Sequence, residues 1–137
     1  MPYQTFDHTA DLGILVQADS SNALFKEAAR ALSAQICGPR SFQATGETRV
    51  RVTGRDWPDL MINWLRELLY LVNGKHLVYG PVEIQTLTEF SLEAVIPVDN
   101  AGCAPHDMVN EIKAVTYHQL QVEPRAGGWQ ARIIFDI

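Results

Sequence analysis

No stretch of this 137-residue chain approaches the run of about 20 apolar residues that a membrane-spanning helix needs, so no membrane segment is expected. The N-terminus lacks both the basic segment and the apolar core of a signal peptide. Cysteine is scarce. Cys37 and Cys103 stand alone, without CxxC or metal-ligand spacing, and read as free thiols in a cytoplasmic protein. Basic charge is short as well: 11 Lys and Arg face 16 Asp and Glu, a formal net charge of −5. With no cluster of Lys and Arg, a protein that grips a phosphate backbone by itself is not expected. GxSxG, the Walker loop and GxGxxG are all missing. His8, His76, His106 and His118 are scattered, with no HExxH or HxxxH spacing to support zinc chemistry.

What is present is an ordinary globular composition, 47% hydrophobic and 20% charged, in a length that suits one domain, residues 1–137, with a core of its own. Pro2–Phe6 and Gly13–Ala18 read as short strands. Behind the cap candidates Asp19–Asn22, the residues Leu24, Phe25, Ala28, Ala29, Leu32 and Ile36 recur at helical spacing, and Gly38-Pro39 stops that helix. Glu47–Thr53 alternates as a half-buried strand. A second helix follows, with Asp56 as cap and Trp57, Leu60, Met61, Trp64, Leu65, Leu68, Leu69 and Val72 in one broad stripe that Asn73-Gly74 closes. Its width marks it as the main core helix, and it is assigned no chemistry.

From Tyr79 onward the period is two. Pro81–Leu87 and Phe90–Val98 read as a hairpin, 99–105 as a loop, Val109–Glu123 as a long strand, and Trp129–Ile137 as a closing strand with Trp129, Ala131, Ile133, Phe135 and Ile137 on one face. The class is α+β: two main helices packed on mainly antiparallel β-sheet, in a single domain. Matching Leu120 and Val122 to the apolar face of the last strand gives a register in which paired positions sum to an odd number. That register places Lys113, Val115, Tyr117, Arg132, Ile134 and Asp136 together on the opposite face, unless a bulge intervenes.

Three stretches could carry chemistry. His8-Thr9-Ala10-Asp11-Leu12-Gly13 lies between two strands and would present an imidazole, a hydroxyl and a carboxylate in one loop; a capped structural turn explains the same residues. Lys113 stands in the middle of a good strand. Asp136-Ile137 offers a carboxylate beside main-chain oxygens, a hard donor set suited to Ca²⁺, Mg²⁺ or Mn²⁺, though many chains end in an acidic residue.

Taken in order, the HTADxG block (His8–Gly13), the Asn-Trp-Leu-x-Glu-Leu-Leu core within Leu60–Leu71, the KAVTYH block (Lys113–His118) and the closing Asp136-Ile137 resemble the archease family along the whole chain. The resemblance implies a small, cytoplasmic α+β protein, monomeric when free, that serves as an accessory factor to an RtcB-type RNA ligase in tRNA splicing and RNA repair. It implies promotion of the ligase's guanylylation and multiple turnover, with RNA met only through the ligase. Residue by residue, it places metal ligands at Asp11, Asp136 and Ile137, the last through main-chain oxygen, and activation-essential roles at Asp11, Lys113 and Asp136. His8 and His106 match family positions without an assigned role. Pro97-Val98-Asp99 departs from the family's Gly-Glu pair, with Asp99 a candidate substitute. Two carboxylates and a lysine suit nucleotide or metal handling, and the absence of an evident nucleophile favours a helper over an enzyme. The competing reading is a stand-alone divalent-metal-dependent hydrolase or phosphate-handling enzyme.

Overall fold

The broad apolar stripe is realised as α2, Trp57–Asn73. Asp56 caps the helix by accepting the Asp59 amide at 2.9 Å, and the Asp59 carboxylate accepts the Arg55 amide at 2.9 Å, which ties the incoming chain to the first turn. Leu60, Trp64, Leu65 and Leu68 have no exposure. The indole N–H of Trp64 donates to the Phe25 carbonyl at 3.0 Å, which satisfies the buried polar atom of that side chain. Trp57, expected to be largely buried, is only partly so; its ring lies edge-on to Trp129, with centroids 5.0 Å apart. The first helix, α1, spans Ser21–Ile36 and is capped by Ser20, whose hydroxyl accepts the Ala23 amide at 3.1 Å.

The structure is a computed structural model that describes residues 2–8, 11–39 and 41–137, with backbone alone at residues 6–8. It contains β1 (Tyr3–His8), β2 (Asp11–Ala18), β3 (Gly46–Thr53), β4 (Val78–Tyr79), β5 (Glu83–Leu87), β6 (Ser91–Asp99), β7 (Ala114–Arg125) and β8 (Gly128–Asp136). The strands form two antiparallel sheets: one runs β1-β2-β8-β7, and in the other β6 pairs with β3, β4 and β5. The α+β class holds, but the single sheet expected beside the helices is two. α1 packs on β2 and β8 and also meets β5, while α2 packs on β7 and on β3 and β4. Apolar alternation specifies which face of a strand is buried, not which strand it pairs with. No helix among the described residues is long and apolar enough to cross a membrane.

Two further expectations fail. The β7–β8 ladder begins at the turn in the odd-sum register, with Val122 opposite Ala131, then slips between Gln121 and Thr116. Beyond the slip Thr116 lies opposite Ile134, Val115 opposite Phe135 and Ala114 opposite Asp136. Gln119, at φ 51°, takes the left-handed conformation that lets the extra residues loop out. Thr116 Oγ1 fastens the looped segment, donating to the Ile134 carbonyl at 2.9 Å and accepting the His118 amide at 3.3 Å. Val115 is therefore buried beside Phe135 on the core face, and it does not share a face with Asp136.

The second failure concerns the thiols. Cys37 and Cys103 form a disulfide with Cα atoms 6.0 Å apart, 66 residues apart in sequence, so neither is free. The cause is tertiary. The segment after the 3-10 turn Pro105–Asp107 runs along the end of α1, where Gly38 donates to the Asp107 carbonyl at 2.7 Å and Val109 to the Ile36 carbonyl at 2.9 Å. The support that free thiols lent to a cytoplasmic location falls away with them.

Replacing Leu65 by Ala should cost ~2–5 kcal/mol in urea unfolding, the range for large-to-small changes in a packed core. Non-reducing peptide mapping should recover the Cys37–Cys103 crosslink, and Cys103→Ser should lower stability by ~2–5 kcal/mol in the same assay.

Candidate functional site

The N-terminal and C-terminal stretches that carry candidate residues meet in one row across the first sheet. His8 pairs with Asp11 by backbone register, Asp11 lies directly opposite Asp136, and Asp136 lies opposite Ala114. Partners directly opposite in an antiparallel ladder point to the same face, so the Asp11 and Asp136 carboxylates sit side by side at the sheet end. Asp11 is half-buried and Asp136 exposed. The loop expected to present His8 through Gly13 is shorter than read from the sequence, because Asp11, Leu12 and Gly13 already belong to β2. Thr9 and Ala10 lie outside the described residues, as does the side chain of His8.

Lys113 reaches the row by another route. It is exposed and precedes β7, and its amide donates to the Asp136 carbonyl at 2.7 Å. The shared face expected for Lys113 and Asp136 depended on a register that the slip removes; a backbone hydrogen bond brings them together instead. Ile137 packs its side chain against the core, which fixes its main-chain atoms next to Asp136.

The remaining candidates go elsewhere. His106 lies on the 3-10 turn beside the end of α1, with Nε2 3.6 Å from Asp107 Oδ1. Asp99 is buried, and its carboxylate accepts the Ala101 amide at 2.9 Å and the Gln43 amide at 3.4 Å, so it latches two loops. Among the described residues no group of three or more His, Cys, Asp or Glu side chains could hold a metal ion. Among the described residues, the row offers a metal the Asp11 and Asp136 carboxylates and main-chain oxygen. A groove of about 690 Å³ between α1 and the β4–β5 connection, lined by Ala29, Ser33, Cys37, Phe42, Tyr79 and Pro81, contains none of the candidate residues.

Sequence reasoning missed a polar anchor next to the KAVTYH block. The Tyr117 hydroxyl donates to Asp59 Oδ1 at 3.0 Å, and the Arg66 guanidinium stacks 5.1 Å from the Tyr117 ring centroid. The Arg55 amide, and then the Tyr117 hydroxyl, hold the Asp59 carboxyl below the usual aspartate range. The available signal was the Asp56-x-x-Asp59 spacing, a capping pattern.

The fold and the row define a small two-helix α+β protein with paired carboxylates at one sheet end. Residues 3–137 match the model of the archease protein family (MTH1598/TM1083), and the chain belongs to that family. It is 32% identical to the protein archease of Methanosarcina mazei, over 98% of this chain and 95% of that one. The solution structure of Methanobacterium thermoautotrophicum protein 1598 superposes with a TM-score of 0.78 at 26% identity, covering 99% of each chain. A Thermotoga maritima crystal structure, described as an archease and possible chaperone, shares the fold at a TM-score of 0.68 and 20% identity, covering 98% of this chain and 96% of that one.

A depressed carboxyl pKa stabilises the fold fully above the unfolded-state value, near 3.9 for an aspartate, and that contribution disappears as pH falls through the lower folded-state value. Asp59→Asn should thus be less stable than the parent at neutral pH. The gap should close only as pH drops below about 4, as followed by thermal unfolding across a pH series.

Proposed function

We propose that this archease is a metal-binding accessory protein that activates an RtcB-type RNA ligase, promoting its guanylylation and multiple turnover, rather than an enzyme in its own right. The observation that carries this reading is the row itself: Asp11 directly opposite Asp136, with the Lys113 amide bonded to the Asp136 carbonyl. Like charges directly opposite on neighbouring strands destabilise a sheet unless a cation lies between them, so the pair suits a cation site. The donors are carboxylate and main-chain oxygens, which fit Ca²⁺, Mn²⁺ or Mg²⁺ and not zinc. Asp11, Asp136 and the main chain of Ile137 would hold the ion, and Lys113 would offset negative charge brought by a nucleotide. When bound, the ion supplies positive charge for phosphate oxygens or for a partner's active site. The chain's own part is to hold two carboxylates at a fixed spacing on paired strands, where they need no rearrangement on meeting the ligase.

The net charge of −5 fits a protein that meets RNA through its ligase. In this reading the protein acts in the cytoplasm with the ligase and is monomeric when free. The stand-alone hydrolase reading is separated by assaying GTP turnover with the purified chain and no ligase: steady turnover favours the hydrolase, and none favours the helper.

Asp11→Ala and Asp136→Ala should each abolish divalent-ion binding in calorimetry while leaving the circular dichroism spectrum intact, since each removes one of few protein oxygens. Each variant, and Lys113→Ala, should fail to speed ligase guanylylation in a time course while the ligase alone keeps its basal rate. Full stimulation by well-folded Asp11→Ala would remove the metal from the mechanism.

A further inference from the structure

The peptide unit between Ile112 and Lys113 is held at both of its polar ends. Its N–H, on Lys113, donates to the Asp136 carbonyl at 2.7 Å. Its carbonyl, on Ile112, accepts a hydrogen bond from Asn73 Nδ2 at 2.9 Å. A peptide unit is planar and stiff, so gripping its oxygen and its nitrogen fixes the plane and with it the position of the Lys113 Cα, while the strand that begins at Ala114 holds the residue from its other side. The Ile112 side chain, with 1% exposure, seats the same unit in the core.

Lys113 needs such a clamp because the ladder does not supply one. β7 starts only at Ala114. The residues before it are held at the other end by α1, where Asn110 Nδ2 donates to the Gln35 carbonyl at 2.9 Å and Val109 to the Ile36 carbonyl at 2.9 Å. Between those anchors and the sheet, Asn73 is the side chain that grips the Lys113 peptide. It is the last residue of α2, a helix anchored in the core through Leu60, Trp64, Leu65 and Leu68. Asn73-Gly74 otherwise reads as a helix stop and nothing more.

We infer that Asn73 is a positioning residue: its amide locks the peptide plane before Lys113 and so holds the lysine's backbone beside Asp136, at the end of the carboxylate row. The consequence for ligase activation rests on the functional reading given above; the consequence for Lys113 itself does not.

The test uses the full chain and four proteins: the parent, Asn73→Ala, Asn73→Asp and Asn73→Gln. Asp keeps the shape but turns an acceptor toward the Ile112 carbonyl, whereas Gln keeps the amide donor. Because Asn73 is exposed, its replacement should lower Tm by less than about 5 °C. Amide exchange at Lys113, read by NMR, should accelerate up to about tenfold in the Ala and Asp variants, with exchange at Ile133 unchanged and most of the protection restored in Gln. Calorimetric affinity for Mn²⁺ should stay within about twofold of the parent, because Asp11 and Asp136 are untouched, while stimulation of guanylylation falls in Ala and Asp and recovers in Gln. A purely structural lesion would move Tm, metal affinity and stimulation together. Unchanged Lys113 exchange in Asn73→Asp overturns the clamp. Faster exchange with full stimulation shows that the clamp exists but does not position the lysine for activation, which also overturns the inference. Failure of the parent itself to stimulate the ligase overturns the functional reading, and the exchange data then still decide whether Asn73 holds Lys113.

Discussion

The β2–β8 pairing is the contact on which the rest depends. It joins a strand that begins at Asp11 to one that ends at Asp136, in a continuous register from Asp11 opposite Asp136 to Ala18 opposite Trp129. The ladder converts two hairpins from opposite ends of the chain into one sheet, gives α1 a surface made of β2 and β8, and buries Ile14, Val16, Ala131, Ile133 and Phe135 together. Because side chains alternate strictly, the register that buries these residues also sends Asp11 and Asp136 to the other face as neighbours. The carboxylate pair is thus a by-product of the way the core closes. Moving it would require moving the core.

How much of this was legible follows from what each kind of signal encodes. Helical periodicity with caps located α2 at Trp57–Asn73, because eight large apolar residues on one stripe admit no other period. Strict alternation located β8 and its buried face. The register slip in β7 was not legible: Tyr117-His118-Gln119 contains no glycine, and a left-handed Gln119 leaves no mark in hydrophobic patterning. That slip moved Val115 to the core and broke the face argument for Lys113. The site residues themselves were named from family blocks rather than from spacing, and the fold brings Asp11, Asp136 and Lys113 together. The Lys113 contact, however, is made by backbone and not through a shared face.

Two aspartates show how ambiguous a lone acidic residue is in sequence. Asp99 and Asp59 are the buried charged residues of the described chain, and both are occupied by amides: Asp99 by Gln43 and Ala101, Asp59 by Arg55 with the Tyr117 hydroxyl added. Their burial is tolerated because donors surround the carboxylate. Asp11 and Asp136 differ in facing each other across a ladder, a relation that becomes visible only when strand partners are known.

The Cys37–Cys103 bond divides the molecule in a way the sheets do not. Considered as covalent topology, the chain is a closed ring with two open arms. The ring, residues 37–103, holds α2 and all four strands of the second sheet. One arm carries β1, β2 and α1, and the other carries β7 and β8. The row of Asp11, Asp136 and Lys113 lies where the arms touch, outside the ring, and only hydrogen bonds and packing hold it together. Reduction of the disulfide would open the ring without cutting any connection within the row.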